Sequence, residues 1–280
     1  MRPARTLVLA ALLSSAAAAG PLGGQELRRF MPGREYLPLL AADPRQPTIA
    51  AKLLYAFDSP TQFGSILEGE PVLGASLPFY VLAGSGLDDA LVLGFEGAVF
   101  ARFNMETREK QLIASDWVFA VPLVLYRGSN WVRLRYYHTS GHLGDEYILA
   151  FDVDRTEYAR DIAELMGWWQ VLPSLALYGG GGWAFRVDPP DDGEFTVRLG
   201  AQAEAHFDRG LRPYGAVDAY FDQDNDWKPS LNIQIGVATR ALSYGRNLRI
   251  AAELFTGPTR VGQFHDQETT FVTLGVYIDL

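Results

Sequence analysis

The segment Tyr136-Tyr137-His138-Thr139-Ser140-Gly141-His142-Leu143-Gly144-Asp145-Glu146 holds the residue types best suited to chemistry. A serine hydroxyl is a weak nucleophile until a neighbouring base takes its proton, and histidine can be that base. In a strand, His138 and Ser140 share one face about 7 Å apart, within reach of a Ser–His hydrogen bond. Such a pair can attack an acyl ester. A third group is needed to orient the imidazole, and Glu157 and Asp161, at the outer end of the following strand, are the candidates. The residues also fit a plainer role: rings with polar atoms gather at a lipid–water boundary, and Gly144-Asp145-Glu146 would tie an outer loop to an arginine inside.

Other constellations offer less. Asp222-x-Asp224-x-Asp226 begins like a calcium loop, but Trp227 stands where Gly is required and Ile233 where the bidentate Glu belongs. It is expected to be a solvated hairpin loop, with weak divalent binding as the alternative reading. Gly179 to Gly182 is followed by Trp183 and Ala184, not by the Lys and Ser/Thr of a phosphate loop, and is expected to serve curvature or close packing. His206 and His265 have no partners at ligand spacing. No metal or cofactor is therefore expected, with calcium the one ion left open.

The elements that would hold these residues have a period of two. Phe195, Val197, Leu199, Ala201, Ala203, Ala205 and Phe207 alternate with Thr196, Arg198, Gly200, Gln202, Glu204, His206 and Asp208. The same split recurs around Leu91–Asn104, Leu231–Val237 and Leu248–Leu254. Soluble sandwich strands usually run about 5 to 6 residues, whereas these run about ten or more, as bilayer-spanning strands do. Strands are predicted near 48–57, 72–82, 91–104, 111–126, 130–141, 157–169, 172–187, 194–208, 212–222, 229–240, 246–256 and 269–280. That is an all-β fold, a transmembrane antiparallel β-barrel of about twelve strands. Short inward turns (Arg127 to Ser129, Gln170 to Val171, Arg209 to Leu211) face longer outward loops (Asp58 to Pro71, His142 to Thr156, Gly257 to Glu268), which is the outer-membrane pattern.

Composition agrees. The chain has 280 residues, no Cys, 48% hydrophobic residues and a formal net charge of -9, so disulfides, thiolate metal sites and a nucleic-acid surface are excluded. No run of about 20 apolar residues follows the amino terminus, which excludes helical membrane architecture. Arg2 and Arg5, the apolar stretch Thr6 to Leu13 and the small residues Ala16 to Ala19 read as a signal peptide over 1–19. Residues 20–47, punctuated by Asp43-Pro44-Arg45-Gln46-Pro47, lack strand periodicity and are expected to be a periplasmic lead-in or partial plug before a barrel over 48–280.

Lys52, Glu96, Arg102, Arg133, Arg135, Arg198, Glu204, Arg249 and Glu253 all fall on polar faces. Both signs of charge inside a modest barrel predict a filled interior, not a wide pore. At the carboxy terminus Val272, Leu274, Val276, Ile278 and Leu280 form an apolar alternation. It resembles the signal read by the barrel assembly machinery, which usually ends in Phe or Trp; Leu280 departs from that.

The His-x-Ser pair resembles that of outer-membrane phospholipase A, a twelve-stranded barrel, and of lipid A 3-O-deacylase. In those families Ser attacks an acyl ester, His is the base, and an Asn or Glu orients His. The resemblance implies these roles for Ser140 and His138; the phospholipase's following Asn-Gly is replaced by Gly141-His142, and no third residue is aligned. The longer spacing His-x-Ser-x-His-Leu-Gly-Asp-Glu, with Asp43-Pro44-Arg45 as a second landmark, resembles the bacterial domain of unknown function 1207 family over most of the chain beyond the signal peptide. That implies a Gram-negative outer-membrane barrel and no activity. Three functions stay open: a lipid acyl-ester hydrolase acting on outer-membrane lipid or lipopolysaccharide, a non-enzymatic structural barrel, and a narrow solute channel. Oligomeric state is not legible.

Overall fold

The structure, a computed structural model, describes residues 27–31, 36–64, 67–83, 88–155, 157–190, 192–205, 210–242 and 247–280. Residues 1–19, expected to be a signal peptide, and His206 lie outside them. Leu27–Phe30 forms a short strand, β1. Twelve long antiparallel strands follow: β2 (Ile49–Asp58), β3 (Leu67–Ala83), β4 (Asp89–Asn104), β5 (Leu112–Arg127), β6 (Asn130–Leu143), β7 (Tyr158–Leu172), β8 (Leu175–Asp188), β9 (Phe195–Glu204), β10 (Arg212–Asp222), β11 (Pro229–Ala238), β12 (Leu248–Pro258) and β13 (Glu268–Ile278). Each pairs with the next, and β13 pairs back onto β2, with Val272 opposite Tyr55, so the sheet closes into a barrel. β1 pairs with the lower half of β3, where β2 no longer reaches.

Closure is what lipid demands, because an open edge would leave backbone N–H and C=O groups unpaired in hydrocarbon. The predicted strands are all present, with boundary changes that have local causes. β3 begins earlier than expected, at Leu67. The inward turn expected at Gln170 to Val171 lies instead between β7 and β8, at Pro173 and Ser174. There the strand runs on through a register shift at Gln170/Leu172, until Pro173, which has no N–H to donate, ends it. In the glycine run, a Cβ at Gly180 would lie 2.1 Å from the Leu165 carbonyl oxygen, so that position needs glycine for strand packing.

The molecule is turned inside out relative to a soluble domain. Leu73, Leu274 and Ile235 are more than 60% exposed, while Arg133, Arg160 and Arg249 are among the most buried side chains. No helix among the described residues is long and apolar enough to cross a membrane. The strands do the spanning.

Inside, charge is matched with charge. Arg102 pairs with Glu70 at 3.0 Å, Lys52 with Glu70 at 2.9 Å, Arg133 with Glu164 at 2.8 Å, Arg135 with Glu96 at 2.8 Å, and Arg249 with Asp279 at 2.9 Å. Residues 36–47 lie within the barrel. The Ala41 N–H donates to Gln202 Oε1 at 3.0 Å, Asn232 Nδ2 donates to the Ala42 carbonyl at 2.9 Å, Asp43 pairs with Arg198, and Arg45 with Asp116. This segment divides the lumen. Asp43 and Arg45 line an upper cavity of about 60 Å³, and Leu37 to Leu39 a lower one of about 490 Å³.

Over the outer end, a helix, α1 (Asp145–Phe151), packs Tyr147 against Phe63, Phe151 and Phe264. Asp145 pairs with Arg155 in the same loop and not with a lumen arginine, because both side chains point into solvent at more than 60% exposure.

Three outcomes are expected. The chain fractionates with outer membrane and migrates faster on gels when unheated; recovery as a soluble monomer would contradict the placement. Arg249→Ala strands the Asp279 carboxylate, 1% exposed, and lowers stability by about 3–5 kcal/mol, read from the urea midpoint of heat-modifiable migration. In planar bilayers, conductance is small or undetectable; large, stable, ohmic steps would show the filled-lumen reading to be wrong.

Candidate outward-facing Ser–His site

β6 places Trp131, Arg133, Arg135 and Tyr137 inward and Val132, Leu134 and Tyr136 outward. His138 and Ser140 continue the outward face near the extracellular end, as the alternation predicts. His138 is registered opposite Asp161 of β7, and its Nδ1 lies 2.9 Å from Asp161 Oδ1. A carboxylate only accepts, so the hydrogen bond puts the proton on Nδ1 and leaves Nε2 with its lone pair. The Tyr136 hydroxyl donates to the same Oδ1 at 2.8 Å.

A third strand completes the arrangement. Asp161 is opposite Arg186 of β8, with Arg186 Nη1 3.9 Å from Asp161 Oδ2, while Arg186 Nη2 lies 3.2 Å from Asp188. Strict alternation after Trp183 and Phe185 would send Arg186 into the lumen. A register shift pairs Ile162 with Ala184 and Asp161 with Arg186, leaving Phe185 as the extra residue of a bulge, and it swings Arg186 outward beside Asp161. Sequence reasoning missed both Tyr136 and Arg186. The outward parity of the Tyr136 hydroxyl was a readable signal, but the bulge was not.

Of the two candidate orienting residues, the fold brings only Asp161 to His138. Glu157 is exposed in the residue before β7 and makes no contact with the imidazole. Ser140 stands between Trp117 of β5 and the small Ala159 of β7. Its hydroxyl makes no hydrogen bond among the described residues. The surrounding face is aromatic: Phe119 is registered against His138, and Tyr136 stacks with Phe185 at 6.2 Å.

In the loop expected to be solvated, Gln223, Asp226, Trp227 and Lys228 are exposed, while Asp222 and Asp224 turn inward. Asp222 turns in to Arg160 at 2.6 Å, and Asp224 and His265 meet Asp192 over the upper cavity. Burial and then the adjacent Asp224 carboxylate push the Asp192 carboxyl above the usual carboxylate range. Residues 27–279 match the model of a family described only as Protein of unknown function (DUF1207). The chain belongs to that family.

No curated protein matches the sequence. Among solved structures, this chain is similar to the outer membrane phospholipase (OMPLA) of Salmonella typhi, solved as a dimer with bound calcium, at 13% identity and TM-score 0.56 over 88% of this chain and 96% of that one. Outer membrane phospholipase A from Escherichia coli gives 12% identity and TM-score 0.56 over the same shares. KdgM porin follows at 8% identity and TM-score 0.45, over 83% of this chain and 99% of the porin. At these identities the likeness to the phospholipases is one of fold. With the closed wall and its outward apolar side chains, that fold is a bacterial outer-membrane barrel's, with lipid around the apolar belt.

The His138–Asp161 geometry has a spectroscopic consequence. Imidazole ¹⁵N shifts of the neutral ring should report protonated Nδ1 in the folded protein, and Asp161→Ala should release the ring to mixed tautomers, while Glu157→Gln leaves it unchanged. Mixed tautomers in the unmodified protein would dismiss the oriented imidazole.

Proposed function

We propose that the barrel is an acyl-ester hydrolase of outer-leaflet membrane lipid, phospholipid or lipopolysaccharide, with Ser140 as nucleophile, His138 as base and Asp161 as the group that orients the base. The observation carrying this reading is the 2.9 Å contact of His138 Nδ1 with Asp161 on the lipid-facing side of the wall. A charged carboxylate facing lipid is costly unless it is paired, and this one is held by His138, Tyr136 and Arg186. Outward placement at the extracellular end gives the pair direct access to the ester linkages of lipids. Export by an amino-terminal signal peptide and insertion by the barrel assembly machinery belong to the same reading.

In the reaction, rotation about the Ser140 Cα–Cβ bond brings Oγ onto His138 Nε2, which accepts the hydroxyl proton as Oγ bonds to the acyl carbon. The tetrahedral adduct collapses with cleavage of the ester C–O bond, and the imidazolium returns its proton to the departing alkoxide. Water, deprotonated by the same Nε2, then releases the fatty acid and restores the serine. Asp161 stabilises the imidazolium without taking its proton.

Calcium, which the Salmonella typhi structure contains, finds a poor donor set beside Ser140. The registered neighbours are Trp117 and Ala159, and the nearby Asp161 carboxylate is already engaged with His138 and Tyr136.

Purified protein in detergent–phospholipid or lipopolysaccharide micelles should release fatty acid, assayed with and without calcium, and a fluorophosphonate should label it. Ser140→Ala and His138→Ala should each cut release by several orders of magnitude, Asp161→Asn by up to about 10⁴, and Glu157→Gln hardly at all. Undiminished labelling of Ser140→Ala, or no turnover by wild type in any micelle, would leave the filled barrel as a structural element, the reading that its matched interior charges favour.

A further inference from the structure

Three loops at the outer mouth bring together Asp192 (between β8 and β9), Asp224 (between β10 and β11) and His265 (between β12 and β13). One ligand atom from each lies within 4.8 Å of the others. His265 Nε2 is 3.0 Å from Asp224 Oδ2 and 3.3 Å from Asp192 Oδ2. In tetrahedral zinc coordination, Zn–N and Zn–O lengths of about 2.0 to 2.2 Å put neighbouring donors about 3.3 to 3.6 Å apart.

Proton placement sharpens the case. His265 Nδ1 lies 2.9 Å from the Gly262 carbonyl oxygen, which can only accept, so Nδ1 carries a proton. In the neutral ring, Nε2 then aims a lone pair at two carboxylate oxygens. Such contacts repel unless the ring takes a second proton at Nε2 or a metal cation sits between them. A backbone carbonyl holding the far nitrogen is also how metal-bound histidines are commonly oriented. The Asn225 side chain anchors the same loop by donating to the His265 carbonyl at 3.0 Å.

The nearest resident cation does not satisfy these oxygens. Arg160, 2% exposed, spends Nη1 on Asp222 at 2.6 Å. Its buried Nη2 points into the cluster with no hydrogen-bond partner, 3.6 Å from Asp224 Oδ2 and 3.9 Å from Asp192 Oδ2, and Asp192 Oδ2 is likewise buried without one. Asp192, Asp222 and Asp224 against one guanidinium leave an excess of two negative charges, the charge a divalent ion balances.

We propose that Asp192, Asp224 and His265 bind a divalent transition-metal ion, zinc fitting best, at the outer mouth of the barrel. One imidazole with two carboxylates favours zinc over calcium or magnesium, whose sites are all oxygen. The ion pins three separate loops over the upper cavity and leaves a coordination position for water. This site is independent of the Ser140–His138 reading.

The test uses whole protein in lipopolysaccharide-free detergent, stripped with a chelator and dialysed against zinc chloride. About one zinc per chain should be retained by wild type, and less than about a tenth of that by Asp192→Asn, Asp224→Asn or His265→Gln. His142→Gln, an exposed histidine outside the cluster, should retain wild-type zinc. Unheated gel migration checks each fold, and zinc should raise the unfolding temperature of wild type and His142→Gln but of none of the three cluster variants. Cobalt in place of zinc should give visible ligand-field absorption in wild type, a readout that needs no variant. Loss of all zinc on dialysis with no cobalt absorption, or zinc retained equally by the three cluster variants, which would mean an adventitious ion only, overturns the proposal.

Discussion

In a bilayer no water is available to satisfy a stray N–H or C=O, so every strand that crosses it must find a partner on both sides. This constraint fixes the architecture. Twelve strands close through β13 against β2, and where β2 ends, β1 takes up the lower half of β3. At the remaining seam, the Leu280 carbonyl accepts from the Ser76 N–H at 3.4 Å. Closure dictates the inversion of polarity, because one face of every strand then meets hydrocarbon and the other is sealed inside.

A sealed interior lined with ionised side chains is costly unless they are matched. The lumen answers with pairs such as Arg249–Asp279 and with networks such as Lys52–Glu70–Arg102. It also draws in the segment before β2, whose Asp43 and Arg45 complete pairs with wall residues Arg198 and Asp116. The lipid-facing Asp161 obeys the same rule from the opposite side. A carboxylate on the hydrocarbon-facing side survives because Tyr136, His138 and Arg186 surround and cover it, and that surrounding is also what orients an imidazole for chemistry.

The twelve strands were legible because lipid enforces a strict apolar alternation over more than a soluble strand's length, as in Phe195–Glu204. The outward face of His138 and Ser140 followed from the same parity. Asp161 was within reach of sequence reasoning, but choosing it over Glu157 required the cross-strand register. Arg186 was hidden by a bulge, which breaks the parity on which prediction depends. The burial of residues 36–47 had no periodic signature, since irregular backbone is placed by its side-chain partners. His265 looked isolated because its neighbours Asp192 and Asp224 come from other hairpins, and spacing along one chain does not report proximity between loops.

The inner segment runs directly into the first barrel strand, while its partners Asp116, Arg198, Gln202 and Asn232 stand on β5, β9 and β11. The closing seam joins the first barrel strand to the last, so it forms only once the whole chain is available. A part synthesised before any of the twelve long strands is thus the part around which those strands are arranged. It acts as a tethered mandrel: the wall is wrapped onto its own contents, and the finished cylinder cannot shed them without breaking pairs on three separate strands.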